Sequence, residues 1–175
     1  MTDEAIQQVM HEMPYGLYII GSKEAELGKV NGMMADWVMQ VSFDPRLIAV
    51  AFERDSHTLG NIRRDPAFTL NLLSQDNDSM ELARPFAQPY SGSKVGGRSE
   101  AEASKVHYKL DGLRYQLTES GCPVLDGAMA WLECEAEQFL EIGDHVLAIA
   151  RVLGGRVERE AEPMTSGYTG WTYSG

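Results

Sequence analysis

The chain has 175 residues, which fits one domain with a full hydrophobic core. Its 43% hydrophobic and 23% charged content is typical of globular proteins and argues against a disordered chain. The formal net charge of −11 disfavours nucleic acid and anionic membrane surfaces as partners. No apolar run approaches the roughly 20 residues that a membrane-spanning helix needs.

The cysteines and histidines indicate a reduced protein without a metal site. Cys122 and Cys134 are the only cysteines, and they do not form a Cys-x-x-Cys pair. The four histidines are scattered without metal-ligand spacing. The N-terminus lacks the basic segment and apolar core of a secretory signal, so we expect a cytoplasmic protein.

The first third of the chain predicts one helix followed by strands. Thr2, Asp3 and Glu4 are typical of a helix start, and Pro14 lies beyond its expected end near residue 11. The apolar segments 16–22 and 47–52 predict strands, the second of them buried on both faces.

Between these two strands lies an unusual segment, residues 31–45. Asn31-Gly32 predicts a tight turn beside the small Ala35, and a bulky apolar run follows up to a second turn at Asp44-Pro45. In such a Gly/Ala-lined turn, backbone amides can come close to a ligand.

Further along, the pattern alternates between short helices, a strand and a polar loop. Residues 58–64 and 76–86 predict helices, and residues 68–73 predict a strand between them. Residues 88–106 are rich in Gly, Ser and charge, which predicts a mobile surface loop.

The C-terminal half has the clearest strand pattern. Apolar and polar residues alternate from Ala128 to Glu137, and a second alternating segment follows at residues 145–153. Gly143-Asp144 predicts the turn of a hairpin between them. Many strands without βαβ alternation predict a mostly β protein, an antiparallel barrel.

Several short motifs occur in the order of a known family. They are the segment 31–45, Ser56-His57-Thr58, the strand 68–74, Gly121 to Ala128, Leu132 to Cys134, and Gly143-Asp144-His145. Together they resemble the flavin reductase-like family, over nearly the whole chain from Pro14. The resemblance implies an antiparallel split β-barrel with a few short flanking helices, as a single domain over residues 1–175.

The resemblance also implies FMN as cofactor and assigns its contacts. Met34, Ala35, Asp36 and Trp37 would line the isoalloxazine, and Ser56 and Thr58 would donate to the phosphate or ribityl chain. The strand end Asn71, Leu72, Leu73 and Ser74 would border the ring, and Lys94 would lie near the phosphate. Three of these residues have simpler interpretations: Ser56 as a helix N-cap, Asn71 as a strand-end turn residue and Lys94 as a solvated loop cation.

His145 is the catalytic candidate. In the family, the histidine of this turn lies near the nicotinamide or flavin edge, where it could orient the nicotinamide or stabilise charge on reduced flavin. The alternative is a turn histidine bonded to the backbone. Trp171 and Tyr173 could form an aromatic lid over a ring or pack at a subunit interface.

Two residues depart from the family pattern, which has Thr and Ser where this chain has Met34 and Asp36. A carboxylate about 4 Å from a phosphate would repel it by about 4 kcal/mol at an effective dielectric constant near 20. Asp36 is therefore turned away, paired with a cation (Arg54, Arg84 or Lys94), or placed at the ring, where it could accept a hydrogen bond from flavin N3–H. Met34 suits a ring face but not a phosphate.

These features predict an NAD(P)H-dependent flavin reductase that binds FMN. Hydride would pass from the nicotinamide to flavin N5, and the electrons would continue to a second acceptor. Family resemblance also implies a homodimer. Two alternatives remain open: a flavin-bound electron carrier without a nicotinamide site, and a barrel that has lost FMN and binds haem or another planar cofactor.

Overall fold

The structure is a computed structural model that describes residues 2–24, 27–88 and 108–171. Four helices flank nine strands in these ranges, and a 3-10 helix (Arg84–Ala87) follows α3. The helices are α1 (Asp3–His11), α2 (His57–Arg64), α3 (Asn77–Ala83) and α4 (Ser166–Thr169). The strands are β1 (Tyr18–Glu24), β2 (Lys29–Ala35), β3 (Val38–Phe43), β4 (Arg46–Glu53), β5 (Ala67–Leu72), β6 (Tyr115–Leu117), β7 (Pro123–Leu125), β8 (Ala130–Ile142) and β9 (His145–Val157).

Seven strands form one antiparallel sheet in the order β2-β1-β5-β8-β9-β4-β3. Its two edges, β2 and β3, are consecutive along the chain, with only Asp36 and Trp37 between them. The sheet therefore curls until its ends meet, and β2 also contacts β4. β6 and β7 form a separate ribbon. The predicted fold, a mostly β antiparallel split barrel with a few short helices, is confirmed.

The buried residues form two clusters. The first fills the barrel with alternate residues of its strands, and Leu59 and Ile62 of α2 join it. The second lies where β1 and β5 meet α3, the 3-10 helix and the β6–β7 ribbon; it contains Leu17, Leu73 and Phe86. Because β1 and β5 are covered on both faces, their apolar residues form runs rather than strict alternation.

The predicted C-terminal hairpin is confirmed, and it is the longest element of the sheet. β8 and β9 each have 13 residues, and Gly143 in the turn has a φ of +48°, which favours glycine. Cys134 and Ala136 face the barrel interior, as the alternation predicts. Register shifts between Glu133 and Cys134 and between Ala136 and Gln138 bend the hairpin around the barrel.

The tight turn predicted at Asn31-Gly32 is wrong, because both residues lie inside β2. Gly32 pairs with Gly21 of β1, and a Cβ at Gly32 would lie 2.8 Å from a ring carbon of Phe86. Glycine is required there by close packing rather than by turn geometry. The turn that matters lies four residues later, at Asp36.

The other predicted elements of the N-terminal half are confirmed within one or two residues. The turn at Asp44-Pro45 joins β3 to β4. The helix predicted over residues 76–86 ends as α3 at Ala83 and continues as the 3-10 helix, in which Pro85 removes a backbone donor. The predicted mobile loop and Lys94 lie outside the described residues, apart from residue 88.

In the described ranges, no helix is long and apolar enough to cross a membrane.

Candidate active site

Asp36, Trp37 and His145 lie together where the β2–β3 bend meets the β8–β9 turn. The Trp37 and His145 rings are 4.9 Å apart, with 41° between their planes. Nδ1 of His145 lies 2.7 Å from Oδ1 of Asp144, a bond that orients the imidazole. His145 is buried and Trp37 is 37% exposed, so the indole offers an apolar surface at the mouth of the barrel.

Asp36 lies in this cluster, and among the described side chains no lysine or arginine forms a salt bridge with it. Its Oδ1 accepts a hydrogen bond of 2.9 Å from the backbone N–H of Trp37. Burial raises the pKa of the Asp36 carboxyl, while the Trp37 N–H and the charge of His145 act in the opposite direction. Two of the cations suggested as partners of Asp36 form salt bridges with other residues: Arg54 with Glu141 and Arg84 with Glu81.

The start of α2 lies beside the same bend. Ser56 caps the helix, accepting a hydrogen bond of 3.4 Å from the N–H of Leu59. Its hydroxyl is 3.6 Å from Sδ of Met33 on β2, and the N–H of Arg54 donates to the carbonyl of Asp144 at 3.3 Å. These contacts bring three distant segments together: 33–37, 54–58 and 144–145. The N-cap interpretation of Ser56 is therefore confirmed, while its role as a ligand stays a prediction.

The remaining predicted contacts face in different directions. Ala35 faces the barrel interior, whereas Met34 packs on the opposite face of β2, in the second cluster. Thr58 is buried at the first turn of α2. Leu72 packs on the first cluster and Leu73 belongs to the second. Their proposed contact with the ring stays a prediction.

Asn71 is buried inside β5, and its side chain is used within the protein. Nδ2 lies 3.2 Å from the carbonyl oxygen of Ile19 and 3.4 Å from that of Pro123, and Oδ1 accepts from the N–H of Leu125 at 2.8 Å. The amide thereby joins β1, β5 and β7. The alternative of a strand-end turn residue is wrong, because Asn71 lies within the strand ladder.

Ser74 belongs to a polar cluster at the start of α3. Its hydroxyl bonds to Ser79, to Asp76 and to Arg159, and Asp76 caps α3 through the N–H of Ser79 at 2.7 Å. The hydrogen bonds from Ser74 and Ser79 and the neighbouring Arg159 guanidinium lower the pKa of the Asp76 carboxyl. This cluster ties α3 to the segment after β9.

Trp171 packs against the second cluster, and its N–H donates to Thr169. Tyr173, the other residue of the suggested lid, lies outside the described residues.

The sequence interpretation missed Glu24 and gave Asn31 only as a turn residue. Both are buried, and Asn31 Nδ2 donates to Glu24 Oε1 at 2.7 Å. Glu24 also lies 3.2 Å from Nε2 of His57, beside Ser56 and Thr58. One signal was present in the sequence: Ser22 and Glu24 continue the inward face that begins with Ile20, so the strand period placed two polar groups inside.

A cleft of about 500 Å³ lies at the opposite end of β2. Its lining includes Lys29, Tyr108, Tyr115 and Leu117, but not Asp36, Trp37 or His145. Lys29 already lies over the Tyr108 ring, with Nζ 4.3 Å from the ring centroid. These three predicted site residues therefore lie outside this cleft, at the barrel mouth.

The surface at the barrel mouth offers groups of the kind that hold a flavin. The N-terminus of α2 offers a hydroxyl and the positive end of a helix dipole for a phosphate. The indole of Trp37 and the imidazole of His145 offer an apolar, aromatic boundary for a ring. Asp36 lies at this second end, beside Trp37 and His145, and burial raises the pKa of its carboxyl.

Comparison with known proteins agrees with this fit. The family described as "Flavin reductase like domain" matches residues 10–173. The chain is 31% identical over 162 residues to the high molecular weight rubredoxin of Moorella thermoacetica, covering 92% of this chain and 64% of that protein. It is 29% identical over 152 residues to a flavin reductase of Pseudomonas putida, covering 87% of this chain and 78% of that protein.

A solved structure shares the fold. The NADH:FAD oxidoreductase of Streptomyces globisporus C-1027 superposes with a TM-score of 0.73 at 23% identity, covering 94% of this chain and 89% of that one. The chain thus spans less than two thirds of the rubredoxin's length and most of the reductases'. Because the family match extends over nearly the whole chain, the protein belongs to the flavin reductase-like domain family.

Proposed function

We propose that the protein is an NAD(P)H:flavin oxidoreductase that binds FMN. The observation that carries this proposal is the convergence of Trp37, His145 and the start of α2 on one surface at the barrel mouth. Bound flavin would supply the redox chemistry, accepting hydride at N5 from the nicotinamide and passing electrons to a second acceptor.

Each end of the surface has a defined task in this proposal. Ser56 and the first turn of α2 hold the phosphate, with Lys94 as a basic neighbour. Trp37 packs against the ring, and Asp36 accepts a hydrogen bond from its N3–H. His145, held by Asp144 at 2.7 Å, orients the nicotinamide or stabilises developing negative charge. Met34, Ala35, Thr58 and the Asn71–Ser74 strand end complete the predicted contacts.

The visible absorption spectrum of purified protein, followed by anaerobic addition of NADH and NADPH, tests the proposal. A flavin spectrum that bleaches with one nucleotide is the expected result, and that nucleotide is the donor. FAD should bind more weakly than FMN. A protein that takes up neither flavin would contradict the proposed cofactor.

A second candidate function is a flavin-bound electron carrier that is reduced by another protein. It is favoured by the similarity to a protein named as a rubredoxin, of which this chain covers 64%. The same spectra separate the two functions, because a carrier keeps its flavin colour in the presence of both nucleotides. A reduced partner protein would then bleach it.

We also propose a homodimer, because the edge strand β3 exposes large apolar side chains. Phe43 is 86% and Met39 is 63% exposed, which is unusual for a monomer surface. Sedimentation should give a dimer for the wild type and a monomer for Phe43→Asp. A cytoplasmic location is consistent with Cys122 and Cys134, both free and buried.

A further inference from the structure

Glu24 ends β1 with a carboxylate that is only 3% exposed. Oε1 accepts a hydrogen bond of 2.7 Å from Asn31 Nδ2 and lies 3.2 Å from Nε2 of His57. Oε2 has no hydrogen-bond partner among the described residues. A buried carboxylate with one unsatisfied oxygen costs stability. An apolar residue at this position would stabilise the fold more than this glutamate does, so we look for a functional role.

The partner of Glu24 identifies that role. His57 is the first residue of α2 and stands between Ser56 and Thr58. Its imidazole contacts Glu24 at the end of β1. This contact lies about 13 Å along the sheet from Met33, which pairs with Ile20 of β1. Met33, in contact with Ser56, holds the other side of the turn. The turn is therefore held against the sheet at two separate points.

Glu24 is itself fixed in place. Asn31, across the β1–β2 ladder, donates to it, and Oδ1 of Asn31 accepts the backbone N–H of Lys109 at 3.0 Å. Asn31 thereby holds the carboxylate, whose Oε1 lies 3.2 Å from Nε2 of His57, close enough for an ion pair when the imidazole is protonated. A fixed carboxylate fixes the imidazole and, through it, the backbone of the turn.

We propose that Glu24 is a positioning residue for the phosphate end of the flavin site. Through His57 it holds residues 56–58 in the orientation in which the Ser56 hydroxyl and the first N–H groups of α2 receive a phosphate. The inference rests on the proposed function, and it distinguishes the phosphate end of the site from the ring end, where Asp36, Trp37 and His145 lie.

Equilibrium binding of FMN and of riboflavin, which lacks the phosphate, tests this role. Glu24→Gln keeps the shape of the side chain and removes its charge. We expect it to weaken FMN binding about tenfold and to leave riboflavin binding unchanged. Glu133→Gln is the matched control: this carboxylate on β8 bonds to the N–H of Ser120 at 3.2 Å, and the variant should bind both flavins as the wild type does.

Substitutions of His57 keep the test independent of how well Glu24→Gln folds. A glutamine side chain at this position could still donate an N–H to Glu24, whereas a leucine side chain could not. His57→Gln should therefore retain more FMN affinity than His57→Leu. Equal FMN affinity in these two variants overturns the inference. An equal loss of FMN and riboflavin binding in Glu24→Gln also overturns it, because that result indicates a general loosening of the site. So does a Glu24→Gln variant that binds FMN as tightly as the wild type.

Failure of the proposed function gives a different result. If the wild type binds neither FMN nor riboflavin, the flavin site itself is wrong, and the role of Glu24 falls with it. If the wild type binds FMN more tightly than riboflavin and NADH or NADPH bleaches the bound flavin, the function stands whatever the result for Glu24→Gln.

Discussion

Trp37 and His145 pack ring against ring, with centroids 4.9 Å apart, although one follows β2 and the other begins β9. The contact exists because β3 and β4 pair with each other and β4 pairs with β9, which carries the β8–β9 turn to the β2–β3 bend. Here Glu53 lies opposite His145 and the N–H of Ala51 donates to the carbonyl of Trp37. Strand register thus places an imidazole next to an indole.

Replacing His145 tests its catalytic role. His145→Gln keeps a hydrogen-bonding side chain but loses the imidazole and its contact with Trp37. We expect NADH oxidation by the FMN-loaded protein to slow about tenfold or more, with FMN affinity changed little. Stopped-flow kinetics and a binding titration separate the two effects. Reduction at the wild-type rate would remove His145 from the mechanism.

Two substitutions of Ser56 distinguish its cap from its proposed ligand role. Ser56→Ala removes the cap of α2 and should destabilise the protein by about 1 kcal/mol, lowering Tm by about 2–4 °C. Ser56→Asp restores a cap and adds a negative charge, so Tm should recover while FMN affinity falls at least about tenfold. Calorimetry and an FMN titration measure the two properties. An unchanged FMN affinity in Ser56→Asp would place the phosphate elsewhere.

Asp36→Asn should stabilise the protein near neutral pH. Burial raises the pKa of Asp36 above its unfolded value, so the folded state favours the protonated form. The associated stability is fully present below the unfolded pKa and is lost as the pH rises through the folded pKa. The amide cannot ionise, so Tm should rise near neutral pH and converge with the wild type at acidic pH.

Asp144→Asn provides a control of opposite sign. The hydrogen bond and charge of His145 lower the pKa of Asp144, so its stability contribution is present above the unfolded pKa and is lost as the pH falls through the folded pKa. This variant should lower Tm near neutral pH. Thermal melts across the acidic range record both variants, and shifts of the same sign would contradict the assignment.

Asn71→Ala should be strongly destabilising, because the Asn71 amide joins β1, β5 and β7. Its removal leaves the buried Leu125 N–H without its acceptor and takes one donor from the Ile19 carbonyl. The Pro123 carbonyl keeps the Thr69 hydroxyl as a donor, so we expect a cost of about 3 kcal/mol. Urea denaturation measures this loss, with the exposed Asn77→Ala as the control. A loss of FMN binding without a loss of stability would instead favour the predicted ring contact.

Lys94→Ala should weaken FMN binding, since the family resemblance implies a basic neighbour for the phosphate. The effect should be greater for FMN than for riboflavin, and greater at low ionic strength. Lys29→Ala is the control, because its ammonium lies over Tyr108 at the far end of β2. Equal FMN affinity in wild type and Lys94→Ala would remove Lys94 from the site.

Local patterns were sufficient for the strands but not for Asn31-Gly32. The alternation in β8 and β9 follows from one buried and one exposed face, which any single strand records in its sequence. An Asn-Gly pair, by contrast, is compatible with a turn or with close packing inside a sheet. In the structure the pair lies inside the sheet, where the ring of Phe86, distant in sequence, occupies the space that a Cβ at residue 32 would need.

By itself, the sequence determined the strand order along the chain, the hairpin and the family, because these depend on periodicity and local motifs. Tertiary structure alone decided which polar groups meet. The sheet register brings the β2–β3 bend with Asp36 to His145, and the packing of α2 on the sheet brings His57 to Glu24. Asn71 is a different case. The family motif assigned it to the site, and in the structure its side chain forms hydrogen bonds that join three strands. Such partners are set by distances in space, which a linear pattern does not record.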